Sequence, residues 1–160
     1  MNKRIEMLTQ KYPQLEVVAK DVDAATDKII QCYKKGGKVL LCGNGGSAAD
    51  SEHVVGELLK SFKKCRSIKE EVYNSLSDFK ENGELLKNTL EGSLRAISLT
   101  SHLSLSTAFA NDREPSVVFA QQLYGLADKG DTLVAFSTSG NSKNCVLAAI
   151  TAKVMGVNVV

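Results

Sequence analysis

Two short apolar runs in this sequence each lead into a small polar loop, and this pattern restricts the fold more than any other feature. The run from Lys38 to Cys42 ends in residues 43–47, Gly-Asn-Gly-Gly-Ser, and the run from Thr132 to Phe136 ends in residues 137–142. Both runs are too short for a helix, and turn residues follow them, so we predict that they are strands. A helix-like segment comes after each loop. The order strand, loop, helix predicts parallel strands connected by helices.

The rest of the chain continues this alternation. Apolar positions recur at helical spacing over residues 14–35 and 46–62, and Gly36-Gly37 would end the first of these helices. A short helix over 102–110 should be followed by Asn111-Asp112, which is predicted to be a turn pair. Further helices are predicted at 3–11, 115–127 and about 142–155, further strands at 95–99 and 157–160, and a polar helical insertion at about 65–93.

These elements predict one α/β domain over residues 1–160 with an N-terminal helical segment over 1–36. Right-handed crossovers would place helices on both faces of a parallel sheet, as in three-layer Rossmann-like or flavodoxin-like folds. The ligand crevice of such a sheet lies at the carboxyl ends of the strands. We therefore expect loops 43–47 and 137–142 to lie together at that edge.

The composition excludes several classes of protein. Apolar residues make up 43% of the 160 residues and charged residues 24%, and the net charge of +2 gives no argument for binding nucleic acid. The four cysteines have no CxxC spacing, so we expect reduced thiols and a cytoplasmic protein. The sequence shows neither a signal-peptide pattern at its start nor an apolar run long enough to cross a bilayer.

The two loops have the chemistry of an anion site. Glycines in loop 43–47 let the backbone approach a ligand closely, and loop 137–142 offers four hydroxyl side chains. Each loop opens a helix, whose first N–H groups and partial positive charge suit a phosphate. Neither loop matches the P-loop or the GxGxxG pattern. The alternative is that Ser137, Ser139 and Asn141 only cap a helix. One cap needs one hydroxyl, so the cluster favours an anion site.

His53 and Glu57 are four residues apart on the helix that follows the first loop, so they share one face. They follow the glycine turn by about two turns, which predicts a position near the mouth of the crevice. The pair could bind one metal ion. Alternatively, Glu57 could be the base of an aldose–ketose isomerisation, which moves a proton between neighbouring carbons through an enediol. A plain ion pair on a solvated helix face is the simplest alternative.

The stretches LLCGNGGSAADSEHVVGEL, LSTAFAND and GDTLVAFSTSGNS resemble the sugar isomerase (SIS) domain, and within it the phosphoheptose isomerases. The likeness runs from about residue 20 to the end of the chain. Members of this family interconvert sedoheptulose 7-phosphate and D-glycero-D-manno-heptose 7-phosphate, a step of heptose and lipopolysaccharide biosynthesis. The resemblance implies a five-stranded parallel sheet flanked by helices and a homotetramer whose sites lie at subunit junctions.

The resemblance also implies roles for single residues. Glu57 corresponds to the catalytic glutamate, and His53 with Glu57 corresponds to ligands of a zinc ion. The phosphate-binding loop maps to Ser137, Thr138, Ser139 and Ser142. The residues that contact the sugar map to Asn44, Gly45, Gly46, Ser47, Asn111 and Asp112.

The sequence departs from the family at three places. The family's later glutamine and histidine, which complete the metal site, have no counterpart before Val160, so we expect an incomplete zinc site and a longer natural chain. Residues 65–93 replace a short link, and Lys60-Ser61-Phe62 replaces a basic residue, for which Lys60, Lys63 or Lys64 could substitute. His102 stands where the family often has an aspartate, and we expect it at the surface or behind the ligands.

We therefore predict an isomerase that acts on a phosphorylated ketose, with Glu57 as its base. The predicted partners are a small phosphosugar and further copies of the chain, as a dimer or tetramer, without nucleic acid or membrane. The alternative is a non-catalytic SIS module that senses phosphosugars or binds a partner protein, such as a replication initiator. A purely structural oligomerisation domain would not require the serine cluster.

Overall fold

The computed structural model describes residues 2–160, which contain a four-stranded parallel sheet of order β2-β1-β3-β4. The strands are β1 (Val39–Gly43), β2 (Ala96–Ser98), β3 (Thr132–Phe136) and β4 (Asn158–Val159). Val39 is in register with Ala96 of β2 on one side and with Thr132 of β3 on the other. The predicted parallel α/β sheet is confirmed, and the described residues form four of the five strands that the resemblance implies.

Eight α-helices surround this sheet within residues 2–160. Three short 3-10 helices, at Pro13–Val18, Leu76–Phe79 and Pro115–Val117, lead into or connect them. The α-helices are α1 (Lys3–Lys11), α2 (Ala19–Lys34), α3 (Gly46–Leu59), α4 (Glu70–Ser75), α5 (Lys80–Thr89), α6 (Leu103–Asp112), α7 (Val118–Leu126) and α8 (Lys143–Val154). No helix among them is both long and apolar enough to cross a membrane.

Strand β1 is buried on both faces, which makes this a three-layer fold. Leu40 and Cys42 pack into an apolar cluster with residues of α7 and α8, including Leu123 and Ala148. Val39 and Leu41 point to the opposite face, where they pack with residues of α2 and α3. Side chains alternate between the faces of a strand, so a continuous apolar run needs helices on both sides.

Three sequence predictions differ in detail from the structure. Residues 13–18 form a 3-10 helix rather than the start of α2, and the Ala19 N–H donates to the Glu16 carbonyl three residues back. Insertion 65–93 is helical only from Glu70 to Thr89. Gly83 in α5 is needed there, because a Cβ at this position would lie 1.9 Å from the Leu76 carbonyl oxygen. The third difference concerns Asn111 and Asp112, which end helix α6 rather than forming a turn.

The amino edge of the sheet carries a network of charges. Lys38 precedes β1, and its ammonium group lies 2.7 Å from a carboxylate oxygen of Asp128 and 2.7 Å from one of Asp131. Asp131 is buried and also accepts hydrogen bonds from the backbone N–H groups of Lys38 and Asp128. Burial acts to lower the pKa of Lys38, but its bonds to the two aspartates outweigh burial and raise it. The network ties the starts of β1 and β3 together, at the edge opposite the two loops.

Candidate active site

Loops 43–47 and 137–142 lie next to each other at the carboxyl edge of the sheet. β1 ends at Gly43, β3 ends at Phe136, and these two residues are partners in the parallel ladder. The chain leaves β1 for β2 on one side, whereas β3 and β4 lie on the other side. The gap between β1 and β3 is therefore the switch point of the topology, where open α/β sheets bind ligands.

The turn that opens α3 depends on glycine at two positions. Gly45 has φ +56° and ψ −120°, a backbone conformation that residues with a Cβ rarely adopt. At Gly43 a Cβ would lie 2.7 Å from the Cβ of Ser47, so the turn can close tightly only with glycine there. The result is a helix N-terminus whose first N–H groups lie close to the sheet edge.

The serine loop is held by hydrogen bonds within itself rather than by a helix cap. The Ser137 hydroxyl donates to the Ser142 hydroxyl at 3.1 Å, and the Asn141 N–H donates to the Ser139 hydroxyl oxygen at 3.2 Å. Ser142 is the N-cap residue of α8, yet its side chain makes no capping hydrogen bond. Thr138 and Ser139 are exposed. Simple capping therefore does not account for this hydroxyl cluster.

A pair of asparagines joins the two loops. The Asn44 side-chain amide donates to the Asn144 carbonyl oxygen at 2.9 Å, and the Asn144 amide donates back at 2.8 Å. Asn144 lies in the first turn of α8, and its Oδ1 also accepts the backbone N–H of Cys145 at 3.0 Å. Asn44 could be identified from the sequence but Asn144 could not, because a polar residue in a first helical turn gives no specific signal.

Asn111 and Asp112 do not form the predicted turn. They are the last two residues of α6. The backbone N–H of Arg113 bonds to the Phe109 carbonyl, so the helical hydrogen-bond pattern continues through Asp112. The Asn111 amide donates to the Asp112 carboxylate at 2.8 Å, and both residues are exposed. Within residues 2–160 neither side chain forms a hydrogen bond to the two loops.

His53 and Glu57 lie side by side on α3, with 3.1 Å between His53 Nε2 and Glu57 Oε1. Their side chains are 76% and 37% exposed. Helix α3 starts at the carboxyl edge and runs back along the sheet, rising roughly 16 Å from Gly46 to Glu57 at 1.5 Å per residue. Its last turn reaches the amino edge, where the Leu58 carbonyl accepts the N–H of Leu94 at 2.9 Å, just before β2.

Because α3 runs in this direction, the prediction that His53 and Glu57 lie near the mouth of the crevice is wrong for a single chain. In a single chain, the carboxylate of Glu57 lies toward the amino edge, whereas the serine loop lies at the carboxyl edge. The structure therefore brings Asn44 and the serine loop together and brings His53 and Glu57 together, but it keeps these two groups apart.

Glu57 borders a cleft of about 370 Å³ with a basic lining. The positive charges come from Arg4 of α1 and from Lys63, Lys64 and Arg66 in the segment after α3. Lys63 and Lys64 were expected to replace the family's basic residue, whereas Arg4 and Arg66 were missed because they come from distant or irregular segments. The cleft could attract an anionic or polyhydroxylated ligand to the Glu57 carboxylate.

Arg66 holds the end of α3 in place. Its guanidinium donates to the Leu58 carbonyl at 2.8 Å, to the Lys60 carbonyl at 3.0 Å and, through Nε, to the Gly92 carbonyl at 2.7 Å. The last carbonyls of a helix have no partner within the helix, so this side chain satisfies them. The backbone turn that carries Glu57 is thereby fixed to the chain that enters β2.

The family model described as "SIS domain" matches residues 6–78 and 91–160. The chain belongs to the SIS domain family. The resemblance inferred from the three sequence motifs is thus confirmed, and the residues that the model skips, 79–90, contain all of α5.

Proteins named phosphoheptose isomerase are among the relatives of this SIS domain. One from Coxiella burnetii is 35% identical over 155 residues, which cover 97% of this chain and 65% of the relative. One from Akkermansia muciniphila is 35% identical over 153 residues, which cover 96% of this chain and 68% of the relative. The SIS domain described here thus spans about 65% of the length of the Coxiella relative.

Solved structures of phosphoheptose isomerases have the same fold. The protein from Neisseria gonorrhoeae gives a TM-score of 0.67 at 29% identity and matches 98% of this chain and 65% of its own. The protein from Francisella tularensis gives a TM-score of 0.68 at 26% identity and matches 99% of this chain and 74% of its own. The SIS fold is thereby shown by sequence and by structure.

The residues of this SIS domain do not by themselves form a zinc site. His53 and Glu57 supply two donors, whereas a tetrahedral protein site for zinc takes at least three. Within residues 2–160 no cluster of three or more histidine, cysteine, aspartate or glutamate side chains could hold a metal ion.

Proposed function

We propose that this chain forms the phosphosugar-binding and base-carrying part of an aldose–ketose isomerase. The observation that carries the proposal is the pair of helix-opening loops at the switch point between β1 and β3, joined by Asn44 and Asn144. The names of the relatives support an isomerase over a non-catalytic sensor. Sedoheptulose 7-phosphate is the proposed substrate and D-glycero-D-manno-heptose 7-phosphate the product, in the synthesis of heptose for lipopolysaccharide.

The phosphate would bind to the serine loop. Hydroxyl groups of Ser137, Thr138, Ser139 and Ser142 and the first N–H groups of α8 offer several donors to one anion. The glycine turn with Asn44, Gly45, Gly46 and Ser47 would lie beneath the sugar chain. Asn111 and Asp112 remain proposed sugar contacts that require another part of the assembly to approach them.

Glu57 would move the proton. Its carboxylate takes a proton from C1 of the ketose and leaves an enediolate. A proton passes from O1 to O2, and Glu57 then returns its proton to C2, which gives the aldose. His53, 3.1 Å away, orients this carboxylate. Arg4, Lys63 and Arg66 around the cleft would stabilise negative charge that develops on the enediol oxygens.

We infer that a complete site needs two copies of the chain. Glu57 and the serine loop lie toward opposite edges of one sheet, so the carboxylate of one copy would serve the loops of its neighbour. A homotetramer with sites at subunit junctions, as the resemblance implies, would meet this requirement. His53 and Glu57 could then contribute to a zinc site with ligands from outside residues 2–160. A cytoplasmic location is supported by the cysteines, of which Cys32, Cys42 and Cys145 are buried and free.

The test is conversion of sedoheptulose 7-phosphate, followed by NMR of the aldose product, with unphosphorylated sedoheptulose as the matched control. We expect turnover of the phosphate ester and none of the free sugar. Ser139→Ala should weaken binding of the phosphosugar, and Ser75→Ala on the remote helix α4 should not. Binding of the phosphosugar without any aldose product would favour the non-catalytic sensor instead.

A further inference from the structure

A buried glutamine supports an exposed histidine near the proposed substrate crevice. Gln122 of α7 is 2% exposed, and its Oε1 lies 2.7 Å from Nδ1 of His102. The Nε2 group of the same amide is buried and has no hydrogen-bond partner among the residues that the structure describes. Burying an amide with one unpaired pole destabilises a protein. Gln122 is nevertheless buried beside Phe119, Ala120 and Leu123 of α7, which suggests that this glutamine has a role other than packing.

The orientation of the Gln122 amide decides which ring nitrogen of His102 carries the proton. A carbonyl oxygen only accepts hydrogen bonds, so Oε1 of Gln122 selects the ring form with the proton on Nδ1. In the neutral ring, Nε2 then carries a lone pair and can only accept a hydrogen bond. The residue is exposed, and Nε2 is on the side of the ring away from Gln122.

The ring lies at the edge of the sheet that also carries the two loops. His102 ends the segment 99–102 that follows β2, and the Leu99 N–H bonds to the carbonyl of Leu41 in β1 at 2.8 Å. Glu52 of α3 holds this segment from the other side, because its carboxylate accepts the Thr100 hydroxyl at 3.0 Å. The segment is therefore held between α3 and α7 at the carboxyl edge of the sheet, the edge that also carries the glycine turn.

We propose that Gln122 is a positioning residue that holds His102 in the Nδ1–H form, so that Nε2 accepts a hydrogen bond from a hydroxyl group of the bound sugar. This inference rests on the proposed function for its ligand class, a polyhydroxylated phosphate ester. An acceptor at this point distinguishes a sugar hydroxyl from an anionic oxygen, which has no proton to donate. The sugar chain rather than the phosphate would therefore lie beside His102.

The first test measures the ring without any ligand. Nitrogen-15 NMR of the histidine side chains should show mainly the Nδ1–H form for His102 in the neutral wild-type protein. Gln122→Met replaces the amide with an apolar chain of similar length, and we expect the ring to shift toward the Nε2–H form. The same mixture of forms in both proteins would overturn the positioning role.

The second test measures binding by calorimetry with two probes, sedoheptulose 7-phosphate and inorganic phosphate. Gln122→Met should weaken the sugar phosphate about 3- to 10-fold, the effect of one hydrogen bond, and leave inorganic phosphate unchanged. Equal losses for both probes, or no loss for either, would overturn the hydroxyl contact. If the wild-type protein binds inorganic phosphate but no sugar phosphate, the proposed function and the hydroxyl contact both fail, and NMR alone decides the role of Gln122.

A second variant separates positioning from general damage. His102→Asn keeps a donor that can reach Gln122 but removes Nε2, and it changes an exposed residue, so the fold should persist. It should lose the same factor in sugar-phosphate affinity as Gln122→Met. The double variant should lose no more than either single variant, since both act through one contact. Losses that add would mean that Gln122 acts on the fold and not through His102.

Discussion

Asn44 and Asn144 exchange two side-chain hydrogen bonds, of 2.9 and 2.8 Å, across the gap between β1 and β3. One residue belongs to the glycine turn and the other to the first turn of the helix that the serine loop opens. The pair therefore sets the distance between the two loops that we propose to hold the sugar and its phosphate. A ligand that contacts both loops benefits from a spacing that is already present before it binds.

Asn144→Ala should weaken phosphosugar binding and also lower the stability of the fold. The change removes both bonds to Asn44, and we expect a loss of about 3- to 10-fold in affinity with about 1 kcal/mol in the free energy of unfolding. Calorimetry and urea denaturation measure the two quantities. Asn74→Ala on the exposed surface of α4 is the matched control. An Asn144 variant with unchanged affinity would show that the loop spacing does not matter for binding.

Arg66→Ala should destabilise the protein by about 1.5–3 kcal/mol, because it leaves the carbonyls of Leu58, Lys60 and Gly92 without their charged donor. Arg66→Lys should recover only part of this loss, since an ammonium group cannot reproduce the planar fork. Urea denaturation of both variants gives the comparison, with Lys64→Ala as an exposed control. Full recovery with lysine would mean that charge alone, without the fork geometry, fixes the end of α3.

The network of Lys38, Asp128 and Asp131 should make stability depend on pH at both extremes. The hydrogen bond from Lys38 and its charge lower the pKa of Asp128 below its usual 3.8, so this stabilisation is present above that pH and is lost as the pH falls further. The pKa of Lys38 is raised above 10.5, so its contribution is present below pH 10.5 and is lost at higher pH.

The difference in unfolding free energy between wild type and Lys38→Met should therefore be constant at neutral pH. It should shrink below pH 3.8 and again above pH 10.5. Urea denaturation at a series of pH values measures it. If the difference in unfolding free energy stays the same at acid pH, the contact with Lys38 does not lower the pKa of Asp128.

Mixed oligomers should test whether each site needs two copies. Glu57→Gln and Ser139→Ala remove different halves of the proposed site, so each variant alone should have little activity. After mixing and exchange of subunits, sites that combine an intact Glu57 from one copy with an intact Ser139 from another should regain part of the activity. No recovery in oligomers shown by native mass spectrometry to be mixed would mean that both residues must come from one chain.

Local pattern was enough to predict the parallel sheet. The run from Val39 to Cys42 is apolar and buried at every position, as expected for a strand with helices on both faces. The loops after β1 and β3 could be placed at one edge because the carboxyl ends of parallel strands meet there. These features depend on short stretches of sequence and on general rules of topology.

The partners of single side chains could not be predicted in this way. The bonds from Asn44 to Asn144 and from His102 to Gln122 join residues 100 and 20 positions apart, and their register depends on how whole helices pack. The position of Glu57 is a different case. The length of α3 alone implies that a residue three turns after the glycine turn lies far from it, so this separation is predictable from the sequence.

The most direct test of the account is the isomerisation of sedoheptulose 7-phosphate in deuterated water by wild type and Glu57→Gln, with Glu81→Gln on α5 as control. Wild type and control should form the aldose with solvent deuterium at C2, because the enediol exchanges its proton through the base. Glu57→Gln should bind the phosphosugar and lose about 10²- to 10⁴-fold in rate. A Glu57→Gln variant with normal turnover would contradict the central assignment of the base.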